Sequence, residues 1–166
     1  MINWDEFEHI HVIKKLKQIL NSWWNVETVF TDDRGALRGF QNEKTTFKNP
    51  LVKFLFEKET VVDQLTEFVN KSMEDIKTTG NRYIMKKWDL AGFDAAVVPI
   101  YIENDFVGTV VVLGFFKNQE NNRLQEVRER FAAFGAGSDL IEKAIGSLKY
   151  IKDEDRGHFF ELVELV

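Results

Sequence analysis

Three observations in the sequence predict an α+β domain, a five-stranded antiparallel sheet flanked by helices. Two β-prone arms, Asp94 to Ile102 and Phe106 to Phe116, flank a short polar break at Glu103-Asn104-Asp105, the pattern of a hairpin. Apolar residues on both sides of this region recur at three- and four-residue spacing, the period of amphipathic helices. The segments run helix, strand, strand, helices, strand, strand, strand, helices, so that strands and helices come in separate groups.

The first helix is expected from Asn3 to Trp24, where Phe7, Ile10, Ile13, Leu16, Ile19, Leu20 and Trp23 hold one face, with Asn3 and Glu6 as a capping arrangement. Lys14, Lys15 and Lys17 then fall on its solvated side. Val26 to Thr31 and Ala36 to Phe40 read as two short strands joined by the turn residues Asp32-Asp33-Arg34-Gly35. Asn49-Pro50 opens the next helix, since an Asn cap and a proline at the first helical position leave no helical hydrogen bond broken. Helical spacing continues from Leu51 to Ile76 with a break near Lys58 to Thr60, and Thr78-Thr79-Gly80-Asn81 ends it.

Arg82 to Trp88 is the third strand and Asp89-Leu90-Ala91-Gly92 a loop, after which comes the hairpin. With Asn104 and Asp105 as its loop residues, Tyr101 faces Gly108 and Val98 faces Val111. Neither face is then polar, so both must be covered by helices or by a partner. Gly108 and Gly114 make the face they share the less bulky one, leaving room for Tyr101, a ligand or a closely packed helix. Pro99 cannot donate to a ladder, which requires that the neighbouring strand stop short of it or that the arm bulge there. A charged helix follows from Gln119 to Phe134, Gly135-Ala136-Gly137 breaks it, and Ser138 restarts it toward Leu148. Asp153-Glu154-Asp155 places acid at the start of a last helix that stops in mid-pattern at Val166. The expectation is a domain over residues 1–152 and, over 153–166, the start of a linking helix to an output domain.

With 166 residues and 44% hydrophobic content, the chain can bury one core. It contains no cysteine, which excludes disulfides, thiolate nucleophiles and thiolate-ligated metals. A net charge of -5 disfavours a nucleic-acid surface. Apolar runs far shorter than ~20 residues and a polar, acidic N-terminus give neither a membrane span nor a signal peptide, hence a cytoplasmic expectation.

Two strands, a helical crossover and a three-strand meander form the order of the PAS and GAF class of sensory domains. The segment Leu90-Ala91-Gly92-Phe93-Asp94-Ala95-Ala96-Val97-Val98-Pro99-Ile100, with Asn104-Asp105-Phe106-Val107-Gly108-Thr109-Val110 after it, resembles the core of the PocR-type sensory domain. That family shows a His-Ala-Gly-Leu segment, an Ala-Val-Pro-Ile strand and a glycine-containing return strand. Ala91-Gly92, Val98-Pro99-Ile100 and Gly108 fall in that pattern, and Arg130 to Ile145 and Leu162 to Leu165 resemble its helical tail. Where many members carry Cys-His, this chain has Asp89-Leu90, so chemistry resting on those two side chains is not carried over. The resemblance implies a PAS/GAF-like input domain with N-terminal and C-terminal linking helices. Such a domain senses a small organic molecule ahead of an AAA+ enhancer-binding activator, an AraC-like regulator or a histidine kinase.

No catalytic set is legible. His9 and His11 point about 200° apart on a helix and cannot share a metal, His158 stands alone, and no cofactor, metal or enzymatic activity is expected. The candidate ligand-binding residues are the aromatics Phe40, Trp88, Phe93 and Tyr101, the small Gly108, and Arg82 and Asp89 as polar orienters. Trp23-Trp24 and Phe159-Phe160 can bury the sheet's outer face against the terminal helices or against a second subunit, and a homodimer through those helices is expected. The competing expectation is a dimerisation or protein-interaction module with the same fold and a filled core.

Overall fold

The computed structural model describes residues 18–19, 26–38, 49–116, 123–145 and 149–150. The first helix (apart from residues 18–19, which are helical), Phe40, the aromatic pairs at both ends, all three histidines and the last helix lie outside the described residues. The described elements are β1 (Glu27–Asp32), β2 (Leu37–Arg38), α1 (Pro50–Phe56), α2 (Glu59–Thr79), β3 (Ile84–Lys87), β4 (Asp94–Ile102), β5 (Asp105–Phe116), α3 (Arg123–Ala133), α4 (Ser138–Ile145) and β6 (Lys149–Tyr150). The chain is α+β. Its sheet runs β2-β1-β5-β4-β3 with antiparallel neighbours throughout, and β6 adds a short parallel pairing to β5 at Phe115 and Phe116.

Local chemistry explains most boundaries. The Asp32 side chain closes the first turn by accepting from the backbone N–H groups of Arg34 and Ala36 at 2.9 and 3.0 Å. Asn49 caps α1, its side-chain oxygen accepting from Leu51 N–H at 3.0 Å and Val52 N–H at 3.4 Å, with Pro50 just inside the helix. α2 ends at Gly80, whose left-handed φ of 73° suits the cap.

The central hairpin forms, but its register differs from the expected one. The loop residues are Glu103 and Asn104, with φ of 51° and 71°, the two positive values that a type I′ turn requires. Ile102 therefore pairs with Asp105 and Tyr101 with Phe106, and a shift between Ile100 and Tyr101 then sets Ile100 against Gly108 and Val98 against Val110. The one-residue change re-sorts the faces, because side chains alternate with a period of two. Val29, Ala95, Val97, Val111 and Leu113 join one cluster with Leu51, Leu55, Val61, Leu65, Val69, Val127, Phe131 and Ile141 of the helices. Thr28, Phe30, Ala96, Val98, Val110 and Val112 on the opposite face are also buried. Within the first face Thr31 and Thr109, both fully buried, hydrogen-bond hydroxyl to hydroxyl across β1 and β5.

Pro99 lies beyond the last β3–β4 pair, Ile84 with Val97, and next to the register shift, so no third strand needs its missing N–H. A second shift falls at Gly114, between the pairs Ala95–Leu113 and Asp94–Phe115. Its φ is 93°, and a Cβ there would stand 2.8 Å from Nδ2 of Asn49. The room at this glycine admits the cap of α1. After α3 the chain turns at Gly135, α4 covers Ser138–Ile145 and β6 covers Lys149–Tyr150; the expected continuation of the helix to Leu148 lies outside the described residues.

Candidate functional site

The loop between β3 and β4 and the start of α3 that lies on it form a closely connected feature. Backbone bonds make the loop compact: Trp88 N–H donates to Phe93 C=O at 3.0 Å, and Trp88 C=O accepts from Ala91 and Gly92 N–H at 3.1 and 2.9 Å. That closure sends the Trp88 and Phe93 side chains inward together. Their rings stand 6.2 Å apart and continue a ladder from Phe68 (6.2 Å to Trp88) through Phe131 (6.4 Å to Phe93) to Phe54 (6.0 Å to Phe131). Each such pair contributes about 0.5–1.5 kcal/mol beyond burial.

Gly92 sits where the loop meets α3. Its φ is 87°, and a Cβ would lie 3.1 Å from Val127 N and 3.2 Å from Val127 Cα, backbone atoms that cannot move aside. One turn earlier on α3, Arg123 reaches back beneath the loop. Its Nη2 donates to Asp94 Oδ1 at 2.6 Å and to Gly92 C=O at 3.2 Å, and the guanidinium lies 5.2 Å from the Phe116 ring centroid. The Asp94 side chain is fully buried and that of Arg123 is 9% exposed. Arg123 Nε is buried without a hydrogen-bond partner. At the rim Lys87 Nζ meets Glu126 Oε1 at 2.9 Å. The hydrogen bond to Glu126, the largest cause, together with the Glu126 and Asp89 charges, holds the Lys87 ammonium above its ordinary pKa against the opposing effects of burial and of the Arg123 charge.

This arrangement is a joint. Asp94 and Arg123 neutralise each other away from water, so neither side chain is presented to a dissolved substrate. Among the described residues no group of three or more His, Asp or Glu is placed to hold a metal ion.

Of the residues predicted to bind ligand, the structure brings together Trp88 and Phe93, each in ring-to-ring packing. Asp89 is adjacent in the chain, but its side chain is 84% exposed and pairs with Lys87 at 3.6 Å. Arg82 is exposed ahead of β3. Tyr101 is 55% exposed near the hairpin tip against Phe106, seven residues along β4 from Asp94, about 23 Å at ~3.3 Å per residue. Gly108 is buried between Asp32 and Ile100 in the sheet. As a common wall for one ligand, this set is not assembled: a one-dimensional reading cannot tell which end of a strand is roofed.

The polar pair at the centre, Asp94 and Arg123, was not anticipated. A signal existed, since Asp94 is the one charged residue in an otherwise apolar arm, and such a charge demands a partner once the arm is buried. Neither the family models nor the curated proteins nor the solved structures contain a match to this chain.

Proposed function

We propose that this chain is a regulatory input module of the PAS and GAF class, of the PocR type, that senses a small organic molecule and passes its state to an output domain such as an AAA+ enhancer-binding activator. The observation that carries the reading is the order of elements: two strands, a helical crossover, a three-strand meander and further helices, with the first strand set against the last of the meander. Fold analogy is its warrant, supported by Ala91-Gly92 and Val98-Pro99-Ile100 at the positions where the resemblance places them. A signal needs two states with different affinities for the ligand. A thermal-shift screen of the purified chain against organic metabolites is the test. A reproducible, saturable rise in melting temperature with one chemical class supports the reading, and a broad screen with no shift above noise overturns it.

A second reading has its own observation. Phe68 packs against Trp88 and Phe131 against Phe93, with Phe54 behind Phe131, as in a module that acts through protein contacts with its core filled. It expects a constitutive homodimer, which light scattering reads as twice the chain mass at micromolar concentration. A monomer at that concentration overturns it.

A further inference from the structure

We infer that the outer face of the sheet, the one turned away from α1 to α4, is a docking surface for the chain's own N-terminal segment, residues 3–24. The face carries Thr28 and Phe30 of β1, Val110 and Val112 of β5, and Ala96 and Val98 of β4, none more than 5% exposed. Something therefore covers it. Every buried apolar residue of α1, α2, α3 and α4 belongs to one cluster with Val29, Ala95, Val97, Val111 and Leu113 of the inner face, and that cluster holds no residue of the outer face. The burial exists within a single copy of the chain. The cover is therefore drawn from this chain, from stretches outside the described residues.

Two such stretches are long and rich in apolar residues, 3–24 and 151–166. The second is led away from the face. β6 pairs parallel with β5 at Phe115 and Phe116, so the chain after it runs on past the base of the sheet, beyond the rows of Val110 and Val112. The first is led to it. β1 starts with Glu27 against Leu113, and only residues 20–25 separate Val26 from the helical pair Gln18 and Ile19, a span of about 25 Å at full stretch. Gln18 is exposed and Ile19 half-buried. At about 100° per residue, Gln18 falls opposite the stripe of Ile13, Leu16, Leu20 and Trp23 and Ile19 on its border, as in a helix lying with that stripe against a surface.

Size and chemistry agree. Three strands ~4.8 Å apart and two rows of side chains ~7 Å apart make a patch that one helix of about 10–12 Å diameter roofs, well below the ~800 Å² that each partner gives to a standard protein interface. The Thr28 hydroxyl is buried there without a hydrogen-bond partner, so what lies over it is apolar, as the stripe is. With the stripe spent on the sheet, Lys14, Lys15 and Lys17 are what the segment has left for outside contacts.

The chain has no cysteine, so Gln18→Cys gives one attachment point for a nitroxide at an exposed position. Val98, Val110 and Val112 read the outer face and their neighbours Val97 and Val111 the inner one. In the NMR spectrum of the ligand-free, 166-residue chain, the nitroxide is expected to weaken the outer methyl signals several-fold more than the inner ones. The same label at Glu161→Cys is expected to weaken the outer signals less than the label at position 18 does. When nitroxide-bearing chain without isotope is mixed with isotope-labelled chain without nitroxide, the outer signals are expected to stay unchanged. Equal weakening of both faces overturns the inference, and so does a stronger effect from position 161. Weakening of the outer signals in the mixture also overturns it, since the occupant would then be a second copy. No ligand enters the measurement, so a failed metabolite screen removes the sensing reading and leaves the docked segment in place.

Discussion

The two ends of the β4–β5 hairpin are built from similar residues and live in opposite environments. At the base, Asp94, Ala95, Leu113 and Phe115 are fully buried, and Arg123 closes over them from α3. At the tip, Tyr101 is 55% and Ile102 49% exposed, with the Phe106 ring beside Tyr101. β1 stops at the pair Asp32–Gly108 and β3 at Ile84–Val97, so among the described strands the last residues of the hairpin have only each other. Hydrophobicity made both ends strand, and the position of neighbouring elements decided which end became core.

This contrast ranks the effects of substitution. At the base, Arg123→Met removes the cation bonded to the buried Asp94 carboxylate at 2.6 Å and is expected to cost about 3–5 kcal/mol in urea unfolding. The double variant with Asp94→Leu should recover most of that loss, and a single-variant cost under about 1 kcal/mol would show that the base does not depend on the pair. Gly92→Ala comes next, at about 2–3 kcal/mol, because it adds the strain of a left-handed alanine to a collision with the Val127 backbone. Gly135→Ala is its control, having φ of 89° but nothing within 4 Å of the new Cβ, and should cost only about 1 kcal/mol. Equal losses at the two glycines would remove the close approach from the account of the joint.

At the tip, Tyr101→Ser should change stability by no more than about 0.5–1 kcal/mol, the worth of its ring pair with Phe106. A loss above about 2 kcal/mol would mean that the tip is covered in solution. The smallest effect belongs to the rim. Lys87→Met, which removes a pair whose side chains are 38% and 24% exposed, should cost well under about 1 kcal/mol and vanish in high salt. Since the Lys87 pKa is raised on folding, its contribution is complete below about pH 10 and is lost only as the pH climbs through the folded value above that. Between pH 6 and pH 9 the difference in stability between Lys87→Met and the parent should therefore show no change caused by Lys87 titration.

Periodicity and cap chemistry make several elements legible in the sequence: Asn49-Pro50 opening α1, the break before Glu59, Gly80 closing α2, and the pause at Pro99. The hairpin register was not legible. With apolar residues on both faces, a shift of one residue leaves the pattern looking the same, and Gly114 and Pro99, which lie at or near the two irregularities, do not say how far each moves the pairing. The candidate site was legible only as far as Trp88 and Phe93, whose aromatic character announced a core but not which rings would meet there.

What the amino-acid sequence determined by itself is therefore local: which stretches are helix or strand, where caps and turns stop them, and that one apolar hairpin lies at the centre of the chain. The tertiary structure decided everything that depends on residues far apart in sequence meeting. It brought Arg123 to Asp94 from 29 positions away, roofed one end of the hairpin and not the other, and set Gly92 against the backbone of Val127. The reason is physical. Helix and strand preferences are set by residues a few positions apart, whereas a buried charge or a missing Cβ takes its meaning only from the atoms that folding places beside it.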